Sequence, residues 1–149
     1  MKIHLFNEQQ DLSISPASTR KLVREVLRQE KARCDELSVY FVKTEAICEL
    51  HARFFNDPSE TDCITLPLDP PNSADYCVLG EVFVCPKTAL KYAEQHNCAP
   101  YEETSLYLVH ALLHLLGYDD IGDAEPAMRE AEKFHLKNLK MRNLLLCPK

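Results

Sequence analysis

Residues 100–120 read PYEETSLYLVHALLHLLGYDD, and this stretch gives the strongest indication of the fold. From Pro100 to Leu116 apolar side chains occur almost all the way round a helix, and a helix of that kind is buried on most of its faces. Gly117 follows as the residue suited to a left-handed helix stop. The stretch therefore predicts a buried helix in the C-terminal half of the chain, followed at once by a turn.

Outside this helix, strands and helices alternate in the first part of the chain, and helices dominate in the last part. Strands are predicted over Lys2–Phe6, Glu36–Val42, Asp62–Leu66 and Cys77–Cys85. Further helices are predicted over Pro16–Lys31, Thr44–Phe55, Pro86–His96 and Asp123–Met141, with Thr44 and Asp123 as N-caps. The expected fold is α/β (α+β), a small mixed sheet of about four strands flanked by helices, in one domain over residues 1–149.

Composition narrows the function classes. The chain of 149 residues has a net charge of −6, which excludes a generally basic nucleic-acid coat, and three glycines, too few for glycine-rich phosphate loops. The seven cysteines are scattered, with no C-x-x-C pair, as expected for reduced thiols in a cytoplasmic protein. No apolar run is long enough for a membrane span, and the first ten residues lack the apolar run of a signal peptide.

Two histidines interrupt the apolar helix. His110 and His114 are four residues apart, so they lie one turn apart on the same face. Two core histidines bonded to backbone or carboxylate groups would explain the pair alone. The full spacing, His110-x-x-x-His114-x-x-Gly117-x-x-Asp120, favours a metal ion instead, because the glycine turns the chain and an acid can point back at both rings. Zinc sites of the metzincin type use this arrangement.

The third ligand and the metal remain open at this level. Asp120 is the preferred carboxylate and Asp119 is its rival. Two imidazoles and one carboxylate leave tetrahedral zinc a free position for water, and the same set suits Fe²⁺ or another divalent ion. Ala111 follows the first histidine where zinc proteases of the H-E-x-x-H class have their glutamate, so that protease chemistry is not expected.

The segment His110-Ala-Leu-Leu-His-Leu-Leu-Gly-Tyr-Asp-Asp120 resembles the signature H-G-x-L-H-L-x-G-Y-D-H of the YbeY family, bacterial ribosomal-RNA maturation factors described as metal-dependent single-strand endoribonucleases. Thr61–Pro67 and Leu79–Cys85 are similar to the family strands T-D-V-L-S-F-P and L-G-D-I-x-I. The likeness extends from about residue 35 to the C-terminus. Three positions depart from the family: Asp120 replaces its third histidine, Ala111 replaces a glycine, and Phe55 stands where it has an arginine suited to phosphate.

The resemblance implies one zinc ion, bound by His110, His114 and Asp120, and single-stranded RNA as the substrate of an endoribonuclease in rRNA maturation and ribosome biogenesis. It also implies rRNA or ribosomal particles as partners, with a ribosomal protein as a further one, and neither DNA nor a membrane. The residues considered for substrate binding are Arg53, Thr61 and Asp62. The alternative is a metal-stabilised ribosome-assembly factor that binds RNA or ribosomal protein and cleaves weakly or not at all.

Other polar residues have simpler interpretations. The basic residues of the first helix and its end are candidates for a cationic groove, but a solvated helix face is the preferred interpretation; they are Arg20, Lys21, Arg24, Arg28, Lys31 and Arg33. The acids Asp119, Asp120, Asp123 and Glu125 would repel phosphate near the metal site. We expect His135 at the surface or an interface, and Tyr118 packed over the turn.

Overall fold

A computed structural model describes all 149 residues and contains four strands and five α-helices. The strands are β1 (Lys2–Glu8), β2 (Glu36–Val42), β3 (Cys63–Pro67) and β4 (Val78–Val84). The helices are α1 (Pro16–Gln29), α2 (Thr44–Phe55), α3 (Pro86–His96), α4 (Pro100–Leu115) and α5 (Glu125–Met141), with a 3₁₀ turn at Gly122–Ala124. The mixed α/β fold with a four-stranded sheet is as predicted.

The sheet has the strand order β1-β2-β4-β3. β1, β2 and β4 are parallel, and β3 runs antiparallel to β4. The parallel pairs need crossover connections, which α1 supplies between β1 and β2. β3 and β4 pair over Cys63–Pro67, so the residues that precede β3 lie at the end of the sheet where β4 finishes.

The helices cover both faces of the sheet. The larger core joins α1, α4 and α5 to one face, and it includes Leu22, Leu79, Leu112 and Leu139, all fully buried. A smaller cluster around Ile47 of α2 packs on the other side. Helix α4 lies at the centre of the larger core, as predicted from its apolar residues on all sides. None of the helices has the length and apolarity needed to cross a bilayer.

Gly80 allows α4 to approach the sheet closely. Its φ is +146°, and β4 carries an irregularity here in its pairing with β2. A Cβ atom at this position would collide with the backbone oxygen of Leu66 in β3 and would lie 2.8 Å from Cδ2 of Leu115 in α4. Glycine is therefore required by both the backbone conformation and the packing, and it fixes the distance between β4 and the end of α4.

Several element ends differ from the sequence prediction. β1 continues to Glu8 because its backbone pairs with β2 up to Val42, although its last side chains are exposed. Thr44 is not the cap of α2, since Lys43 holds the N-cap position without a side-chain bond. Asp123 is not the cap of α5 either; it lies in the 3₁₀ turn, and α5 begins two residues later.

Candidate metal centre

The end of α4 and the turn that follows form the candidate centre. The amide of Gly117 donates to the His114 carbonyl at 3.1 Å, and the amide of Tyr118 donates to the Leu113 carbonyl at 3.0 Å. This pair of bonds is the Schellman pattern, and it needs a left-handed residue, which Gly117 provides with φ of +102°. The turn reverses the chain, so Asp120 comes back beside the last two turns of the helix.

The turn brings three donor atoms together. Nε2 of His110 lies 3.0 Å from Nε2 of His114. Oδ2 of Asp120 lies 3.4 Å from the first of these nitrogens and 3.7 Å from the second. Tetrahedral zinc with bonds of about 2.0–2.1 Å needs donors separated by about 3.3 Å. The triangle therefore has the size that one small cation requires, and these three residues could hold a metal ion.

Hydrogen bonds on the far side of each ring settle which nitrogen is free. Nδ1 of His110 lies 2.5 Å from Oε2 of Glu132, and Nδ1 of His114 lies 3.1 Å from the carbonyl oxygen of Tyr118. Both partners are acceptors, so both Nδ1 atoms carry the proton and donate. In its neutral form each ring then presents an Nε2 lone pair on the side of the Asp120 carboxylate. Such a set of acceptors is suited to a cation.

Glu132, the hydrogen-bond partner of His110, is also paired with Arg129. Burial lowers the pKa of His110, but the hydrogen bond and charge of Glu132, together with Asp62 and Asp120, outweigh burial and raise the pKa above its ordinary value. Burial raises the pKa of Glu132, and its bonds with His110 and Arg129 outweigh burial and lower it. Arg129 donates to both Glu132 oxygens, at 2.8 and 3.0 Å. Glu132 is therefore a carboxylate held in position between a cation and the imidazole.

A second network supports His114 through the turn. The Tyr118 hydroxyl donates to Oε1 of Glu30 at 2.8 Å, and Nε2 of His135 lies 2.6 Å from Oε2 of the same carboxylate. His135 is fully buried within the chain, so the position predicted from the sequence, at the surface or an interface, is wrong. Its Nδ1 has no hydrogen-bond partner. Tyr118, which the sequence indicated would pack over the turn, packs against the larger core. Glu30, directly after α1, ties the turn to α5.

The three donors line a cavity of about 560 Å³. Thr61 and Asp62 line it too, so the structure brings these two candidate substrate residues to the centre. Asp119 lines the cavity but does not join the donor triangle; its Oδ1 accepts the Asp120 amide at 2.8 Å. Of the two aspartates, only Asp120 approaches both histidine rings.

The arginine considered for substrate binding lies elsewhere. Arg53 lines a different cavity, beside Glu8 and Tyr40, whereas Phe55 lines the cavity of the donor triangle. None of the basic residues of the first helix lines it either. Arg28 pairs with Glu25 instead. The preferred interpretation of a solvated helix face is consistent with these positions.

Known proteins match this chain over nearly its whole length. The family model described as "Endoribonuclease YbeY" matches residues 4–140. A protein named endoribonuclease YbeY from Protochlamydia amoebophila is 49% identical over 145 residues, which cover 97% of each chain. The chain belongs to the YbeY family. YbeY-family relatives from Chlamydia trachomatis serovar D and Chlamydia pneumoniae are 45% and 44% identical, with 99% and 98% of this chain and 93% and 96% of the relatives covered.

A solved structure has the same fold as this chain. The solution structure of TM1509 from Thermotoga maritima superposes with a TM-score of 0.65 and 24% identity, covering 95% of this chain and 92% of that one. At this identity the likeness concerns the fold alone. The resemblance found from the sequence is confirmed, and the match begins near the N-terminus rather than at residue 35.

Sequence reasoning missed the residues that support the ligand set. Glu132 and His135 are three residues apart on α5, so they lie on one helix face, but nothing in this spacing points to α4. Glu30 is separated from Tyr118 by 88 residues. His51 was given no role, yet it lines the cavity of the donor triangle. Only its position one turn before Phe55, the residue in the place of the family arginine, could have drawn attention to it.

Proposed function

We propose that this protein is an endoribonuclease that uses one metal ion, held by His110, His114 and Asp120. The observation that carries the proposal is the triangle of donor atoms, 3.0 to 3.7 Å apart, which lines a cavity of about 560 Å³. The relatives named endoribonuclease YbeY, at 40–49% identity, support RNA as the substrate class.

Zinc is the proposed metal. Two imidazole nitrogens and one carboxylate, with a separation that fits tetrahedral bonds, are a common zinc set that leaves one position open. A divalent cation held here would act as a Lewis acid on the phosphodiester and lower the pKa of water. The chain's own contribution is orientation: Glu132 and the Tyr118 carbonyl hold the two rings with Nε2 free.

The proposed substrate is a single-stranded segment of ribosomal RNA or of a ribosomal particle in the cytoplasm. The volume of the cavity, about 560 Å³, is in the range typical of small-ligand sites, which supports an unpaired nucleotide as the occupant. Thr61 and Asp62 are the proposed substrate contacts, since both line the cavity. The Thr61 hydroxyl donates to Oδ1 of Asp62 at 3.3 Å, so these two side chains act as a unit.

Cleavage of a single-stranded RNA by zinc-loaded protein tests the proposal. We expect cleavage by the native chain, loss of at least about 100-fold in His114→Ala, and native activity in His96→Ala, which changes an exposed histidine outside the cavity. Metal analysis of protein purified without chelators should give about one equivalent of zinc. Equal cleavage by native protein and His114→Ala would identify a contaminating nuclease and remove the proposal.

A second candidate is a ribosome-assembly factor with weak or no cleavage. It is favoured by one observation: no lysine or arginine lines the cavity, and Phe55 stands where the family has an arginine. Such a protein would bind RNA or a ribosomal protein through the same fold. Co-sedimentation of metal-loaded protein with ribosomal particles, without cleavage of any single-stranded RNA, would favour this candidate over the enzyme.

A further inference from the structure

The cavity beside the donor triangle has an unusual balance of charge for an RNA site. Its lining includes the carboxylates of Asp62, Asp119 and Asp120 and contains no lysine or arginine. A metal ion would offset part of this negative charge at one point only. Arg129 lines only the adjoining cavity and is paired with Glu132. Within the cavity of the donor triangle the phosphates therefore gain little from side-chain charge, and the nucleobase is the other part of the nucleotide that can supply affinity.

Apolar groups of the lining offer that affinity. Phe55 is the last residue of α2 and is 55% exposed. Ile121 directly follows Asp120 and is 75% exposed. Both line the cavity that holds His110 and His114. Large side chains this exposed gain little from folding, but an aromatic face is a platform on which any nucleobase can stack.

His51 lies beside Phe55 in this lining. It lies one turn before Phe55 on α2, and the two ring centroids are 5.6 Å apart with the planes tilted by 56°. Nδ1 of His51 lies 2.9 Å from the Ser59 carbonyl, to which it donates, so the ring is fixed and Nε2 is left without a protein partner. An aromatic face and a free ring nitrogen thus line the same cavity.

We propose that Phe55 and His51 form a nucleobase subsite next to the metal centre, in which a base flanking the cleaved phosphodiester stacks on Phe55 and contacts Nε2 of His51. This subsite rests on the proposed function, since it takes RNA as the ligand. It makes recognition depend on an unpaired base rather than on backbone charge. A paired base cannot present its face in this way, so the subsite also selects single strands.

The test uses a single-stranded oligoribonucleotide that carries 2-aminopurine, whose fluorescence is quenched by stacking, read by stopped flow before cleavage proceeds. With zinc-loaded protein we expect quenching, and we expect Phe55→Ala to bind about 5- to 100-fold more weakly without quenching. Phe55→Tyr should keep both, because the ring remains. Phe54→Ala is the matched control: Phe54 is 48% exposed on the same helix but does not line the cavity, so this variant should behave as the native chain.

Two further measurements distinguish base stacking from charge as the source of affinity. An oligoribonucleotide that is abasic at the stacked position should bind native protein and Phe55→Ala equally. The salt dependence of binding should be the same in both proteins, whereas Phe55→Arg should steepen the log–log slope by about 0.7 because it adds one phosphate contact.

The outcomes distinguish the two proposals. Native protein that neither binds nor cleaves the oligoribonucleotide would overturn the proposed function, and the subsite with it. If the native protein cleaves, and Phe55→Ala binds and quenches the probe as well as the native protein or as well as Phe54→Ala, the subsite is overturned. The proposed endoribonuclease function would then be unaffected.

Discussion

Removal of the Glu132 carboxylate tests how much the metal centre depends on the hydrogen bond behind His110. Oε2 of Glu132 lies 2.5 Å from Nδ1 of His110, and both groups are largely buried. In Glu132→Ala the Nδ1 proton loses its acceptor, the ring loses its orientation, and Nε2 becomes a weaker base. Losses of this kind cost about 10- to 100-fold in metal affinity, which is about 1.4–2.7 kcal/mol.

The measurement is zinc competition against a chromophoric chelator at neutral pH, with circular dichroism to check folding. Glu132→Gln should fall between the native protein and Glu132→Ala, because its amide oxygen still accepts the proton but carries no charge. Glu130→Ala changes an exposed acid on the same helix and serves as the control. A folded Glu132→Ala protein with zinc affinity within about twofold of native would refute the role assigned to this bond.

Three further predictions concern the ligand set, the fold and its acid stability. Asp120→Ala should weaken zinc binding in equilibrium dialysis by at least about 10-fold while Asp119→Ala stays within about twofold of native, and the reverse order would exchange the two roles. Gly80→Ala should lower the free energy of unfolding by about 2–4 kcal/mol, because Gly80 has a φ of +146° and a Cβ there would collide with the β3 backbone. Urea denaturation measures this loss, and an unchanged midpoint would contradict the packing described. The pKa of Glu25 is lowered from its ordinary 4.5 to about 2, and the hydrogen bond from Arg28 is the largest cause. The Glu25 carboxylate therefore stabilises the fold above pH 4.5. This contribution, about 1–2 kcal/mol, is lost as the pH falls from 4.5 towards 2. Glu25→Gln should flatten this part of the stability–pH curve, and an identical curve would show that the ion pair contributes nothing.

Local patterns in the sequence were sufficient for the centre of the molecule. The apolar surface of α4, the spacing of His110 and His114, and Gly117 at the helix end are all set within a few residues of one another. Such features depend on backbone geometry that neighbouring residues determine. For this reason the helix, its stop and the approach of Asp120 could be anticipated without knowledge of the remaining fold.

Contacts between distant segments could not be anticipated in the same way. Glu132 reaches His110 across 22 residues, and His135 reaches Glu30 across 105. The sequence of an amphipathic helix does not distinguish a buried histidine from an exposed one unless the helix that packs against it is known. The position of Arg53 in a different cavity could not be anticipated for a related reason, since the direction of its side chain depends on how α2 packs on the sheet.

The bridge made by Glu30 has a consequence for the biogenesis of the protein itself. This carboxylate directly follows α1, whereas His135 lies on α5, 105 residues later in the chain. Translation proceeds from the N-terminus, so a nascent chain exposes the turn around Tyr118 before the helix that completes its support has left the ribosome. A chain truncated ahead of α5 would lack both Glu132 behind His110 and His135 beside Glu30, and we expect it to bind a metal ion more weakly than the whole chain.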